Sequence, residues 1–195
     1  MKLRILEDVT KNKNSMYRGT DRTAPFYNDK LDENHKVNQA FLWYCAEGGE
    51  FGIVSDLTKA EDLVNLYYQL TPPQYFEVVE LTEKNQPPVT KGVFLGFDLS
   101  AGFNYSLLSW KLEFDQYIPA GLPENDLFFT LKPLLYLIKD FFQPKLNENG
   151  LFNDYDTAAF CLECMMTLQK LRPGLWENED IEFEIVGLWK VYPAK

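Results

Sequence analysis

One histidine, His35, is all that the 195 residues hold. Triad and zinc-hydrolase chemistry need a histidine set beside a nucleophile, an acid or a metal. His35 instead lies in the charged run Asp32-Glu33-Asn34-His35-Lys36, which predicts a solvated side chain. Cysteine is scarce too. Three is an odd and small number, which argues against a secreted disulfide scaffold and for reduced, cytoplasmic thiols. Positive charge is short, with 19 lysines and arginines against 29 aspartates and glutamates, a net charge of -10. That balance repels nucleic-acid phosphates and anionic lipid, so neither is expected as a partner. No apolar run approaches the roughly 18 residues of a transmembrane helix. The opening MKLRILEDVTK is charged throughout and lacks the apolar core of a signal peptide. Dinucleotide and phosphate-loop glycine patterns are absent. The glycine-rich Gly48-Gly49-Glu50-Phe51-Gly52 is acidic, which opposes phosphate. No cofactor is expected.

What the chain does have is apolar content, 46%, of which aromatics supply a large part at 15% of all residues. That suffices for a packed core and argues against disorder. The length suits a single domain over residues 1–195. A long loop or arm over residues 10–30 is locally basic, with Lys11, Lys13, Arg18, Arg22 and Lys30 against Asp21 and Asp29. Long ordered loops often carry function.

The pivotal stretch is VFLGFDLSAGFNYSLLSW, from Val93 to Trp110. Val93, Phe94, Leu95 and Phe97 are apolar at both parities, which predicts a strand covered on both faces inside a sheet. Gly96 marks a bulge or a close approach by another element. Asp98 falls where that strand is expected to end, facing a ligand crevice or capping the following turn. Strands are also predicted near Leu3 to Leu6, Tyr75 to Thr82, Leu112 to Ile118 and Ile181 to Tyr192. The last alternates, with Phe183, Ile185, Trp189 and Val191 on a core face and Glu182, Glu184 and Lys190 on a wet one. Thr58 with Glu61 reads as a capping box that opens a helix to Leu70. Residues 127–142 are helical, with Pro133 opening or kinking the helix and Leu134, Leu137, Ile138 and Phe141 as its buried stripe. Asp156 caps a further helix to Leu171. Residues 31–47 fit either a helix capped by Asp32 or, in their second half, a hairpin turning at Gly48-Gly49, which aromatic content favours. The sum is an α+β fold, with a mixed or antiparallel sheet of five to six strands packed on two to three helices.

Site candidates are few. Cys161-Leu162-Glu163-Cys164 is a C-x-x-C pair, but Cys161 lies more than a turn inside its helix, where the dipole does little for a thiolate. A buried structural pair is the expectation. Pooling Cys45, Cys161, Cys164 and His35 into a zinc site would consume every cysteine and the only histidine, so no metal is expected. The loop from Lys145 to Asp156 matches some positions of a calcium loop but starts on a lysine where a carboxylate must ligate. The order of Arg18 and then Glu182-Phe183-Glu184 resembles the arginine-then-Glu-x-Glu arrangement of ADP-ribosyltransferases. The middle Ser-Thr-Ser strand of that family is missing, and strand alternation alone accounts for Glu182 and Glu184.

Three functions follow from this inventory. The first is an acidic, cytoplasmic, inhibitory binding protein of the immunity or antitoxin kind, a likeness of composition and not of motif. It would dock a basic protein through Trp176, Glu177, Glu179, Asp180, Glu182 and Glu184. The second is an enzyme built on Asp98 with Arg18 or Arg22 as an anion clamp. The third is a self-assembling structural subunit.

Overall fold

The strand nearest the C-terminus forms the middle of the sheet. In the computed structural model, which describes residues 1–11, 19–21, 25–49, 52–101, 105–108, 127–171 and 182–191, the strands are β1 (Leu3–Glu7), β2 (Phe76–Glu83), β3 (Gly92–Ala101), β4 (Tyr105–Ser106) and β5 (Phe183–Val191). They lie in the order β1-β2-β5-β3-β4, and every pairing is antiparallel. The class is therefore α+β. Against five to six expected strands, four are full length and β4 has two residues. Against two to three expected helices, the described residues hold four of twelve residues or more: α1 (Lys36–Gly48), α2 (Leu57–Tyr68), α3 (Leu127–Phe142) and α4 (Tyr155–Leu171). The predicted strand Leu112 to Ile118 falls outside the described residues.

One face of the sheet carries the helices. Leu3, Ile5, Phe76, Val78 and Val191 pack with Ala60, Leu63 and Tyr67 of α2 and Val37 and Tyr44 of α1. Phe97, Leu99, Phe183 and Ile185 pack with Phe142 of α3 and Ala158, Cys161 and Met165 of α4. Phe183, Ile185 and Val191 share a parity on β5, so both helix pairs sit on the same side. The alternate residues Leu6, Val79, Leu81, Val186 and Leu188 are covered by Ile53, Leu95 and Leu151. This corrects the expected wet face of β5. A strand in the middle of a sheet with chain on both sides buries both parities, and Val186 and Leu188 are fully buried.

The helix over residues 31–47 wins against the hairpin. Its cap is His35, whose Nδ1 accepts from Val37 N at 3.2 Å, and not Asp32, which accepts from Asn34 N. Buried Asn38 ties the preceding turn to this helix, accepting from Asn28 N and donating to the carbonyls of Asn28, Leu31 and Asp32. That web offers the backbone of residues 28–35 a ready set of partners, an advantage no strand propensity reveals. α2 starts two residues earlier than a Thr58 cap allows, because Asp56 accepts from Lys59 N at 3.1 Å. At α4 the capping carboxylate is Asp154, bonded to Thr157 N at 2.7 Å, with Asp156 inside the first turn.

Pro133 lies inside α3 and does not open it. The inward residues of α3 are Leu135, Ile138 and Phe142, one step round from the expected stripe. Seven of the nine side chains from Leu134 to Phe142 are apolar or aromatic, so periodicity could not choose a face. Leu134, Leu137 and Phe141 point outward instead.

Candidate functional site

Asp98 sits within β3, three residues before its end, and not at a strand terminus. It is fully buried. Thr20 donates to Oδ2 from its backbone N at 2.8 Å and its hydroxyl at 2.9 Å. Leu99 N and the Ser106 hydroxyl donate to Oδ1 at 2.8 and 2.7 Å. Both oxygens are engaged. Burial pushes the carboxyl above its usual range, against the pull of Ser106, Thr20 and Leu99. Asp98 fastens the turn Gly19–Asp21 to β3 and β4. Gly19 is required there, because it has φ +57° and an added Cβ would stand 2.5 Å from Asp98 Oδ2. Arg18 and Arg22, the expected anion clamp, lie outside the described residues.

Gly96 behaves as expected on both counts. The β3–β5 register shifts between Phe94 and Gly96. A Cβ on Gly96 would meet Leu151 Cβ at 2.5 Å. Asn147, a calcium-loop candidate, fixes this approach by donating to Leu95 O and accepting from Asn149 N and Leu151 N.

Of the expected acidic docking surface, Trp176, Glu177, Glu179 and Asp180 lie outside the described residues. Glu182 is exposed. Glu184 is partly buried, and burial followed by the Glu83 charge pushes its carboxyl up.

Sequence reading missed three buried carboxylates, Glu80, Asp8 and Glu77. Glu80 in β2 accepts from Val89 N, Thr90 N and the Thr90 hydroxyl, pinning the loop before β3. Asp8, just after β1, accepts from Thr10 N and its hydroxyl and from Lys11 N on one oxygen. Its other oxygen faces Lys190 Nζ at 3.3 Å and Lys11 Nζ at 3.4 Å. Burial pushes the Asp8 carboxyl up, but Thr10, Lys190 and Lys11 outweigh it and hold it below its usual range. Lys190 also meets Glu77 at 2.8 Å. Burial works against its charge, yet Glu77 and Asp8 hold its ammonium above the usual value. The partners are distant in sequence, so no local pattern exposes this cluster. It lies beside a cleft of about 220 Å³ between α2 and the ends of β2 and β5.

Cys161 is buried in the core beside α3, and burial pushes its thiol up. Cys164 is partly exposed on the same helix, while Cys45 is exposed on α1. Among the described residues no group of three or more His, Cys, Asp or Glu is placed to hold a metal ion, and no helix is long and apolar enough to cross a membrane.

The least ordinary surface lies on α3 and α4. Leu134, Leu137 and Phe141 are 42%, 64% and 53% exposed, and Phe160 of α4 is 51% exposed. The Phe141 and Phe160 ring centroids are 6.2 Å apart. No family model, no curated protein and no solved structure matches this chain. The arrangement of its own side chains carries the functional argument.

Proposed function

We propose that the chain is a non-catalytic binding protein that docks a basic protein partner on the α3–α4 face. The observation that carries this is the exposed stripe Leu134, Leu137, Phe141 and Phe160. Contiguous exposed apolar surface is the feature that marks interaction sites, since scattered single residues need no explanation. Leu134, Leu137 and Phe141 follow the i, i+3, i+7 spacing of one helix face.

Charge selects the partner. Exposed Asp140 follows Leu137 by three residues, and exposed Asp156 and Glu163 flank Phe160 by four and three. Such spacings bring side chains together on a helix surface. Lys145 crowns the Phe141 ring at 4.5 Å from its centroid. An apolar stripe with a carboxylate rim suits an amphipathic helix bearing Leu or Phe flanked by Lys or Arg. A second copy fits less well, because each copy would bring the same rim and a net charge of -10. An enzyme built on Asp98 has less support, because Thr20 and Ser106 already engage both Asp98 oxygens. The function that follows is occlusion of a basic partner by an acidic protein, as inhibitors of the immunity or antitoxin kind do in the cytoplasm.

A pair of designed amphipathic helical peptides tests it, one of Leu and Lys, the other of Leu and Glu. The Leu/Lys peptide should bind and weaken steeply as salt rises. Leu137→Asp, at the most exposed position of the stripe, should weaken binding at least about tenfold without lowering the melting temperature, and Phe141→Asp should weaken it as much at a small cost in stability. Equal binding of both peptides, or unchanged binding by the two variants, overturns the reading. A stable dimer that either variant breaks would assign the face to self-assembly instead.

A further inference from the structure

The cleft beside α2 is remote in the fold from the α3–α4 face, and its argument is independent of that proposal. Its α2 wall is one helix face, Glu61, Val64, Asn65 and Tyr68, at i, i+3, i+4 and i+7. Its floor is apolar, made by Phe76 and Val78 of β2 and Val191 of β5. At about 220 Å³ it falls below the roughly 300–1,000 Å³ of drug-sized sites, so it suits a ligand of a few heavy atoms with an apolar body.

The polar groups decide the ligand's charge. Both lysines that line the cleft are already committed. Lys190 holds Glu77 at 2.8 Å and Asp8 at 3.3 Å. Lys11 holds Asp8 at 3.4 Å and donates to the Tyr68 hydroxyl at 2.9 Å. Glu61 Oε1 is different. That oxygen is shut off from solvent and accepts no hydrogen bond among the described residues, while the Glu61 side chain as a whole is part-exposed at the cleft. Two lysines therefore serve Asp8 and Glu77, and Glu61 is the third carboxylate. A buried acceptor left unpaired is costly, so a native structure that retains one calls for the donor that completes it. An anion would meet Glu61 itself. A primary ammonium brings three donors and a charge that balances the third carboxylate.

We propose that this cleft is a binding site for a small primary amine, its ammonium donating to the Glu61 carboxylate and its apolar body lying on Phe76, Val78 and Val191. The site would make the protein's state depend on a small cationic metabolite as well as on its protein partner.

Three probes of one size and different charge test it: n-butylamine, n-butanol and butyrate, titrated into the full chain and followed by amide NMR shifts. The amine should shift the amides of Val64, Val78 and Val191 saturably, with butanol and butyrate at least about tenfold weaker. Glu61→Gln should weaken the amine at least about tenfold and leave butanol unchanged, which also shows an intact cleft. Val64→Phe, which fills the cleft from the α2 wall, should weaken amine and alcohol together. Equal affinity of the three probes overturns the proposal, as does an unchanged response in Glu61→Gln. An absence of saturable shifts overturns it too, and leaves water as the donor to Glu61.

Discussion

Asp8 and Asp98 are both almost completely withdrawn from solvent, yet their carboxyls move in opposite directions. Among the described residues Asp98 meets neutral donors, two from Thr20 and one each from Leu99 and Ser106, and burial wins, raising it. Asp8 meets similar donors from Thr10 and Lys11, but two ammonium groups also face it, and it is lowered. Burial alone does not set the ionisation of a carboxylate. A partner with full charge overturns the effect of burial where dipoles only oppose it. The two sites also differ in what they hold. Asp98 joins the turn Gly19–Asp21 to the β3–β4 edge, whereas Asp8 joins the chain after β1 to Lys190 in the central strand.

The sharpest way to break the comparison is to remove Asp98. Asp98→Ala strands four donors in a dry site, and at about 1 kcal/mol or more each the loss of stability should reach about 4 kcal/mol. Urea unfolding followed by circular dichroism reads this directly. A loss below about 1 kcal/mol would mean that water or other groups satisfy those donors, and Asp98 would no longer count as the anchor.

That anchor shows what the sequence could and could not display. The apolar run Val93 to Phe97 marked β3, and Gly96 marked its bulge, because local sterics act within a few residues. Asp98 also stood out, as a charge where the apolar strand was expected to end. Its role did not, because Thr20 lies 78 residues away along the chain. The same holds for Asp8 with Lys190, 182 residues apart. The existence of α2 and α4 was legible from periodicity and a capping residue nearby, although each cap, Asp56 and Asp154, lies two residues before the expected one. Periodicity failed in α3, where apolar side chains occupy nearly every direction and only the packing of Phe142 on Phe152 and Phe160 fixes the rotation. The outward stripe of α3 was misread as core for that reason, and it is the feature that now carries the functional proposal.

The next test contrasts the pH response of the two sites. Asp8→Asn removes a charge that Lys190 faces, though Glu77 still pairs with that lysine. The loss should be about 2 kcal/mol near neutral pH, less than the about 3–5 kcal/mol of a fully buried pair. Because the Asp8 carboxyl is lowered in the fold, its contribution is full above the usual carboxylate range. It is lost as pH falls through that range towards the folded value. The deficit of Asp8→Asn relative to the natural chain should therefore shrink on acidification. Asp98→Asn should behave in the opposite sense. The Asp98 carboxyl is raised, so the natural chain gains stability as pH falls from the raised value towards the usual one. The deficit of Asp98→Asn should therefore grow on acidification. Urea midpoints of the three proteins across the acid range check both signs, and parallel curves would refute the contrast.

Asp154 sharpens the comparison from the other side. Like Asp98, it takes neutral donors, the backbone N and hydroxyl of Thr157, and the Lys145 charge adds a smaller pull. Unlike Asp98 it is exposed, and its carboxyl is lowered. Neutral donors of the same kind thus prevail over desolvation where water is present to solvate the charge. The carboxylate caps α4, so Asp154→Ala should cost about 1 kcal/mol. Asp156→Ala, one turn-position inside the helix and lacking that bond, should cost only the few tenths of a kcal/mol of a charge near a helix N-terminus. Thermal unfolding of the pair separates the two carboxylates. If Asp156→Ala proves the more damaging, the cap belongs to Asp156, and neutral donors in water do less than the contrast with Asp98 requires.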